Sequence, residues 1–465
     1  MAEDSQENTD PIAGFLRANL DEIVDRLSAW VAIPSVSADP DRRQDVERSA
    51  RWIAGELRDV GLRTTLLPVG ESVTVYGESA PVPGAPTVLV YSHHDVRHAK
   101  PEEWSETAPF TPVRRDGRLY GRGASDAKGQ VLAHVWALRA VAAVDGALPR
   151  VNLKLLIDGE EEIGSPNLRR LLDEEPERFA CDLVVFSDTI QWRVDVPAPV
   201  TSMRGTLTAT LTIRGPERDV HSGVASGVTL NPALVLSRVL GGLHHPDGRI
   251  AIPGFHDRVA ETSAERRAEF AALPFDEQDW ITRTETRAIV GEDGFTPLER
   301  LWTRPAIEVI SLLAGDPDGI ERSVVPREAT ASLSVRTVPD QRIPDIADLL
   351  RSHVAAVMPD GATYTLEVDE DIAQEPYVSP PGEVADALER ALGRGFGIPV
   401  QGRMGNAGGG PADWLSRHLD APVHFLGTGL PEDHWHASDE SLDLGMFVGG
   451  AATLAHLWRE LGRPR

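Results

Sequence analysis

The stretch "VLVYSHHDVRH", Val88 to His98, sets three histidines and an aspartate at the end of an apolar run. Val88, Leu89, Val90 and Tyr91 are β-formers, and Pro86 precedes them where a strand can begin. Side chains in a strand alternate faces. His93 and Asp95 therefore share one face while strand geometry persists, and His94 points the other way. A carboxylate that accepts one ring N–H fixes the tautomer and frees the other nitrogen for a cation. Taken alone, the same residues also fit a polar strand end held by one structural His–Asp hydrogen bond.

Outward from this strand the chain alternates helices and apolar strands. In "LRANLDEIVDRLSAWVAIPSVS", Ile23, Val24, Leu27, Trp30 and Val31 follow helical spacing, and Pro34 ends the pattern. "ERSARWIAGELRDVGL" predicts an amphipathic helix with Gly61 near its C-terminus, and "GQVLAHVWALRAVAAV" a mostly apolar one. "VNLKLLIDG" and "CDLVVFSD" predict buried strands. "SPNLRRLLDEE" predicts a helix with Ser165 as N-cap and Pro166 in its first turn. This is the pattern of an α/β fold whose mostly parallel sheet is covered on both faces.

After Arg204 the pattern changes. In "RGTLTATLTIRG", Leu207, Ala209, Leu211 and Ile213 alternate with threonines, a half-buried strand with one polar face. "ATASLSVRTV" and "ATYTLEVDE" are similar, with the helical "NPALVLSRVLGGL" between them. The reading is a catalytic α/β domain in two parts, residues 1–203 and 374–465, around an inserted α+β lid and dimerisation domain, 204–373.

The 465 residues suit two domains, and the 41% hydrophobic fraction is that of a globular protein. A net charge of −26 argues against nucleic-acid or anionic-membrane partners. No segment has about 18 uninterrupted apolar residues, and the polar start "MAEDSQENTD" is unlike a targeting peptide. Cys181 is the only cysteine, so no internal disulfide forms and a cytoplasmic compartment is expected.

Four further stretches join the opening one. "LYGRGASDAKGQ" puts Asp126 in a glycine-rich loop before a helix. "IDGEEEIGS" puts acidic residues directly after a buried strand. "VVFSD" ends a strand with Asp188, and "EDHWHASDES" places His436 near the C-terminus. Each alone fits a helix cap, a solvated loop, a turn or a surface histidine. Jointly they are mostly strand ends of an α/β sheet, where such folds place their sites. Imidazole and carboxylate donors suit Zn²⁺, and Mn²⁺ or Co²⁺ are accepted. Asp126, Glu162, Asp188 and a bridging hydroxide balance two divalent ions, with His93 and His436 neutral. A carboxylate off the metal is then needed to move the proton, and Glu161 is the candidate.

"SHHDV", "GRGASDAKG", "EEEIGS", "FSD" and "HASDE", in this order, resemble the dinuclear-metal exopeptidase family of carnosinase, aminoacylase, carboxypeptidase G and succinyl-diaminopimelate desuccinylase. "AIPSVSADP", "MRG", "RDVHSG" and "SVVPREATASLSVRTVP" bring it nearest to carnosinase-type cytosolic dipeptidases. The resemblance implies that His93 binds one metal and Asp95 orients it. It implies that Asp126 bridges two ions before a cis peptide bond, that Glu161 is the general base, and that Glu162, Asp188 and His436 complete the shells. His94 and His98 are bystanders. It further implies that His221 stabilises the oxyanion in a partner subunit's site, within a homodimer, and that Arg336 clamps the substrate's carboxylate. Gly409 and Gly410 fall in the substrate-binding loop, with Gly410 where the family carries serine. His98 stands where a proline is common.

The expected activity is hydrolysis of the amide bond of a dipeptide with a free C-terminal carboxylate. An N-acyl-amino-acid deacylase would use the same centre. An inactive metal-bearing dimer that only binds would lack Glu161 or a ligand, and nothing reads as the phosphate cradle of a phosphoesterase.

Overall fold

The computed structural model describes residues 10–463. The reading of the extreme N-terminus as free of a targeting signal lies outside the described residues, Asp10 aside.

The opening stretch forms the strand Thr87–His93. Val88 and Val90 pack into one apolar core, and Leu89 and Tyr91 into a second on the opposite face. Two covered faces explain why every position of the run is apolar. The strand lies inside a six-stranded sheet of order Arg63–Val69, Ser72–Glu78, Asn152–Asp158, Thr87–His93, Leu183–Phe186, Val423–Phe425. The three pairings nearest Leu183–Phe186 and Thr87–His93 are parallel, and the two involving Ser72–Glu78 are antiparallel. The class is therefore the expected α/β, with a mostly parallel sheet.

Helices cover both faces. Lys128–Asp145 and Leu444–Leu461 lie over one, with Leu20–Val31 and Arg43–Asp59 beside them. Leu168–Glu174 and Ala412–Leu419 lie over the other. Among the described residues no helix is long and apolar enough to cross a membrane.

A second, antiparallel sheet has the order Ala306–Ala314, Glu328–Thr337, Gly205–Arg214, Thr363–Val368. Leu207, Ala209, Leu211 and Ile213 face a core of their own with the helices Pro232–Gly241 and Ile343–Val357. The threonines line the other face, as the alternation predicts. Phe270, Leu273, Leu298 and Trp302, within the same stretch of chain, pack instead into the core of the first sheet.

One local expectation fails. Ser165 does not cap the helix that follows, which runs Leu168–Glu174 from Asn167. Its hydroxyl donates to Asp158 Oδ2 at 2.7 Å, and Glu160 accepts the Asn167 N–H at 2.7 Å. The loop thus turns inward to satisfy the buried Asp158, which outweighs the local capping preference.

Candidate metal centre and substrate clamp

The strand Thr87–His93 ends on the residue that matters. His93 Nδ1 lies 3.1 Å from the Asp95 carbonyl and 3.4 Å from Asp95 Oδ1. Its Nε2 faces Asp126 Oδ1 at 3.1 Å and Asp188 Oδ1 at 3.6 Å. His94 turns away to the Val73 carbonyl at 2.7 Å, and burial pushes its pKa down to about 4. His98 is exposed. Asp95 also accepts the main-chain N–H groups of Glu161 at 3.2 Å and Glu162 at 3.1 Å, so it joins two strand ends.

Asp126 sits before the helix Lys128–Asp145, and the Asp126–Ala127 peptide is cis. Its two oxygens face different imidazoles: Oδ1 that of His93, and Oδ2 that of His436 at 3.0 Å. His436 Nε2 is also 3.2 Å from Glu162 Oε2. The His436 side chain is half exposed; partial desolvation works against charge on its ring, yet the Glu162 and Asp126 carboxylates push its pKa up to about 11. Burial likewise opposes charge on Asp126, but the two imidazoles hold its carboxyl far below the usual range.

Among the described residues, Asp126 Oδ2, Glu162 Oε2 and Asp188 Oδ1 are buried and accept no well-formed hydrogen bond; their near neighbours are the two imidazoles and, for Glu162 Oε2, the Arg97 guanidinium. Leaving buried anionic oxygens unbonded is costly unless a cation takes the place of donors. The ligand atoms of His93, Asp126 and Glu162 lie within 4.8 Å of one another, as do those of His93, Glu161 and Asp188. An N/O donor set of this kind fits divalent metal ions.

The three consecutive glutamates after the strand Asn152–Asp158 have separate partners. Glu160 serves Asn167. Glu162 accepts the Arg97 N–H at 3.1 Å and pairs with its guanidinium at 2.7 Å. Among the described residues Glu161 makes no ion pair. Burial pushes its pKa well above the carboxylate range; His93 opposes this, and Asp188, Glu162 and Asp95 add to it.

Arg336 lies on the strand Glu328–Thr337. Burial lowers its pKa, and its guanidinium has no hydrogen-bond or ion-pair partner among the described residues. It comes within 3.2 Å of where a Cβ on Gly409 would be. A Cβ on Gly410 would meet Phe186 Cζ at 2.7 Å and Met203 Sδ at 3.2 Å, so that position is closed to any side chain. The structure does not bring His221 to the cluster within one chain. It is exposed, pairs with Val324 in a two-residue strand, and makes no hydrogen bond or ion pair with the site.

Sequence reading missed three supporting residues. Arg97 lies inside the opening motif. Glu440 lies four positions after His436. Arg204, in "MRG", has its pKa lowered to about 9 by burial and by neighbouring Arg336, while its Nε donates to the Ala407 carbonyl at 2.9 Å. An acid or base beside a motif is the only signal any of them carries.

Residues 89–460 match the model of peptidase family M20/M25/M40. The chain is 30% identical to a cysteinylglycine-S-conjugate dipeptidase of Corynebacterium striatum, over 92% of this chain and 93% of that protein. It is 27% identical to the Beta-Ala-His dipeptidase of Rattus norvegicus, over 97% and 94%. The solved structure of the dipeptidase Dug1p from Saccharomyces cerevisiae superposes with a TM-score of 0.87 at 25% identity, covering 98% of this chain and 99% of that one. Motif order, strand-end donors and whole-length similarity agree, and the chain belongs to peptidase family M20/M25/M40.

Proposed function

We propose that this protein is a dipeptidase that hydrolyses the amide bond next to a free C-terminal carboxylate, using two divalent metal ions, with Zn²⁺ the first candidate and Mn²⁺ or Co²⁺ accepted. The observation that carries this reading is the convergence of His93, Asp126, Glu161, Glu162 and Asp188 ligand atoms within 4.8 Å in two overlapping groups, with His436 against Asp126 and Glu162. His93 and Asp188 would hold one ion, Glu162 and His436 the other, and Asp126 one with each oxygen. Bound ions would polarise the scissile carbonyl and lower the pKa of water.

The chain's own groups do the rest. Glu161, which lies beside His93 and Asp188, takes a proton from the attacking water and returns it to the leaving amine. Asp95 orients His93. Arg336 receives the carboxylate, since a fork of N–H donors without a protein partner matches that group. Gly409 leaves room for this approach.

Residues 204–373 form the lid and dimerisation domain in this reading, between catalytic parts 1–203 and 374–465. A homodimer has support in the edge strand Ala306–Ala314, where Val309, Ile310, Leu312 and Leu313 are exposed. An unpaired apolar edge invites a second copy. His221 of each lid would then stabilise the oxyanion in the other subunit's site. The single Cys181 supports a cytoplasmic setting.

The test is a panel of dipeptides, dipeptide amides and N-acyl amino acids, run on chelator-stripped protein and after adding back each metal. Cleavage of free dipeptides only, restored by metal, is expected. Faster cleavage of N-acyl amino acids would replace the dipeptidase reading with a deacylase.

A further inference from the structure

The segment "WVAIPSVS", Trp30 to Ser37, contributes no metal donor, yet it touches the strand end that carries His93 and the loop that carries Asp126. Lys128, fully buried two residues after Asp126, donates to the carbonyls of Trp30 at 3.2 Å and Ile33 at 2.7 Å. Ser35 donates through Oγ to the His94 carbonyl at 2.7 Å and accepts the Val96 N–H at 2.9 Å. Ser37 Oγ donates to Asp95 Oδ2 at 2.6 Å.

The Ser37 contact differs in kind from the others. The Asp95 carboxylate accepts the main-chain N–H groups of Glu161 and Glu162 and lies 3.4 Å from His93 Nδ1, which also meets the Asp95 carbonyl at 3.1 Å. Holding these neighbours together depends on the rotation of the carboxylate plane. Ser37 is the side-chain donor that sets that rotation, with a short hydroxyl–carboxylate bond of the charge-assisted type.

We propose that Ser37 is a positioning residue for the metal centre. Its hydroxyl fixes Asp95, and through Asp95 it sets the direction of the His93 Nε2 lone pair and the placement of Glu161 and Glu162. The inference rests on the metal-centre reading given above. Ser35 supplies the comparison, because its hydroxyl bonds only a main-chain carbonyl of the same brace.

The test measures Zn²⁺ binding to the metal-free full chain by calorimetry, with kcat and KM on a free dipeptide beside it. Outer partners of a metal ligand are worth roughly 10–100-fold in affinity or activity, so Ser37→Ala is expected to weaken Zn²⁺ about tenfold. It should lower kcat by a similar factor while KM stays within about twofold, the Arg336 side being untouched. Ser37→Thr keeps the hydroxyl, and Ser37 borders a cavity of about 220 Å³ that has space for a methyl group, so it should restore both values. Ser35→Ala should lower thermal stability and leave Zn²⁺ affinity unchanged. Equal Zn²⁺ affinity in wild type and Ser37→Ala, or equal losses in Ser35→Ala and Ser37→Ala, would overturn the positioning role. Wild-type protein that binds no divalent ion would overturn the metal-centre reading as well.

Discussion

Glu440 Oε1 accepts the main-chain N–H of Asp126 at 3.0 Å, from the other end of the chain. It also accepts from Ser125 N at 3.0 Å, and its Oε2 accepts from Gly123 N at 3.0 Å and Arg122 at 2.6 Å. One buried carboxylate therefore shapes the loop that presents Asp126. Glu440→Gln turns an NH2 donor toward N–H donors and leaves the buried Arg122 guanidinium without its anionic partner. Breaking such a pair costs about 3–5 kcal/mol, and denaturant unfolding of the metal-free protein should show a loss of that order. A loss below about 1 kcal/mol, the size of an ordinary substitution, would mean the loop holds its own shape.

Glu161→Gln should keep bound metal and lose most turnover, by about 10²–10⁴-fold. Glu162→Gln should lose metal, because Glu162 offers its carboxylate to the same cluster as His93 and Asp126. Metal content and kcat measured on both variants decide this. If Glu161→Gln loses metal and Glu162→Gln does not, the two roles are exchanged.

A shared site has an arithmetic signature. Glu161→Ala and His221→Ala should each be nearly inactive. In a mixed dimer one site collects both lesions and the other none. Random pairing makes about half the dimers mixed, so co-expression should return roughly a quarter of wild-type activity, by two-fold symmetry. Tagged, co-purified mixed dimers that stay as inactive as their parents would remove His221 from its partner's site.

His134 is buried in the helix Lys128–Asp145, with no hydrogen-bond partner for either ring nitrogen among the described residues. Burial pushes its pKa down to about 3. The unfolded chain takes up this proton near pH 6.5, so its contribution is present above about 6.5 and is lost as pH falls toward 3. The slope is about 1.4 kcal/mol per pH unit. His94 and His424, each pushed down to about 4 by burial, add to it. His134→Leu should therefore lose about 2 kcal/mol less than wild type between pH 7 and pH 5 in urea unfolding. Parallel pH profiles for the two proteins would show that the imidazole already finds a partner.

Gly410→Ser should not add a useful hydroxyl. Its Cβ meets Phe186 and Met203, and overpacking of this kind costs about 1–3 kcal/mol. Thermal unfolding should show the loss, and adding Phe186→Leu should recover part of it. Full stability of Gly410→Ser alone would mean the loop moves aside.

The parts of the site legible in the sequence are those held by local rules. Period-two alternation separated His93 from His94. The buried strand Asn152–Asp158 announced that the glutamates after it sit at a sheet end. The switch to a Thr-alternating strand at Gly205–Arg214 announced a second sheet. Local rules failed at Ser165, where a distant buried carboxylate took the hydroxyl that a helix N-terminus would use.

From the sequence by itself came the α/β class, the strand ends that carry donors, and the family's motif order, because each depends on residues a few positions apart. Tertiary structure alone decided that Glu160 turns to Asn167, that Glu440 cradles Asp126, that Ser37 holds Asp95, and that a side chain at Gly410 would press on Phe186 and Met203. These are contacts between groups up to 314 positions apart. Their energies come from burial and charge pairing in a packed interior, and no local periodicity records which distant partner will arrive.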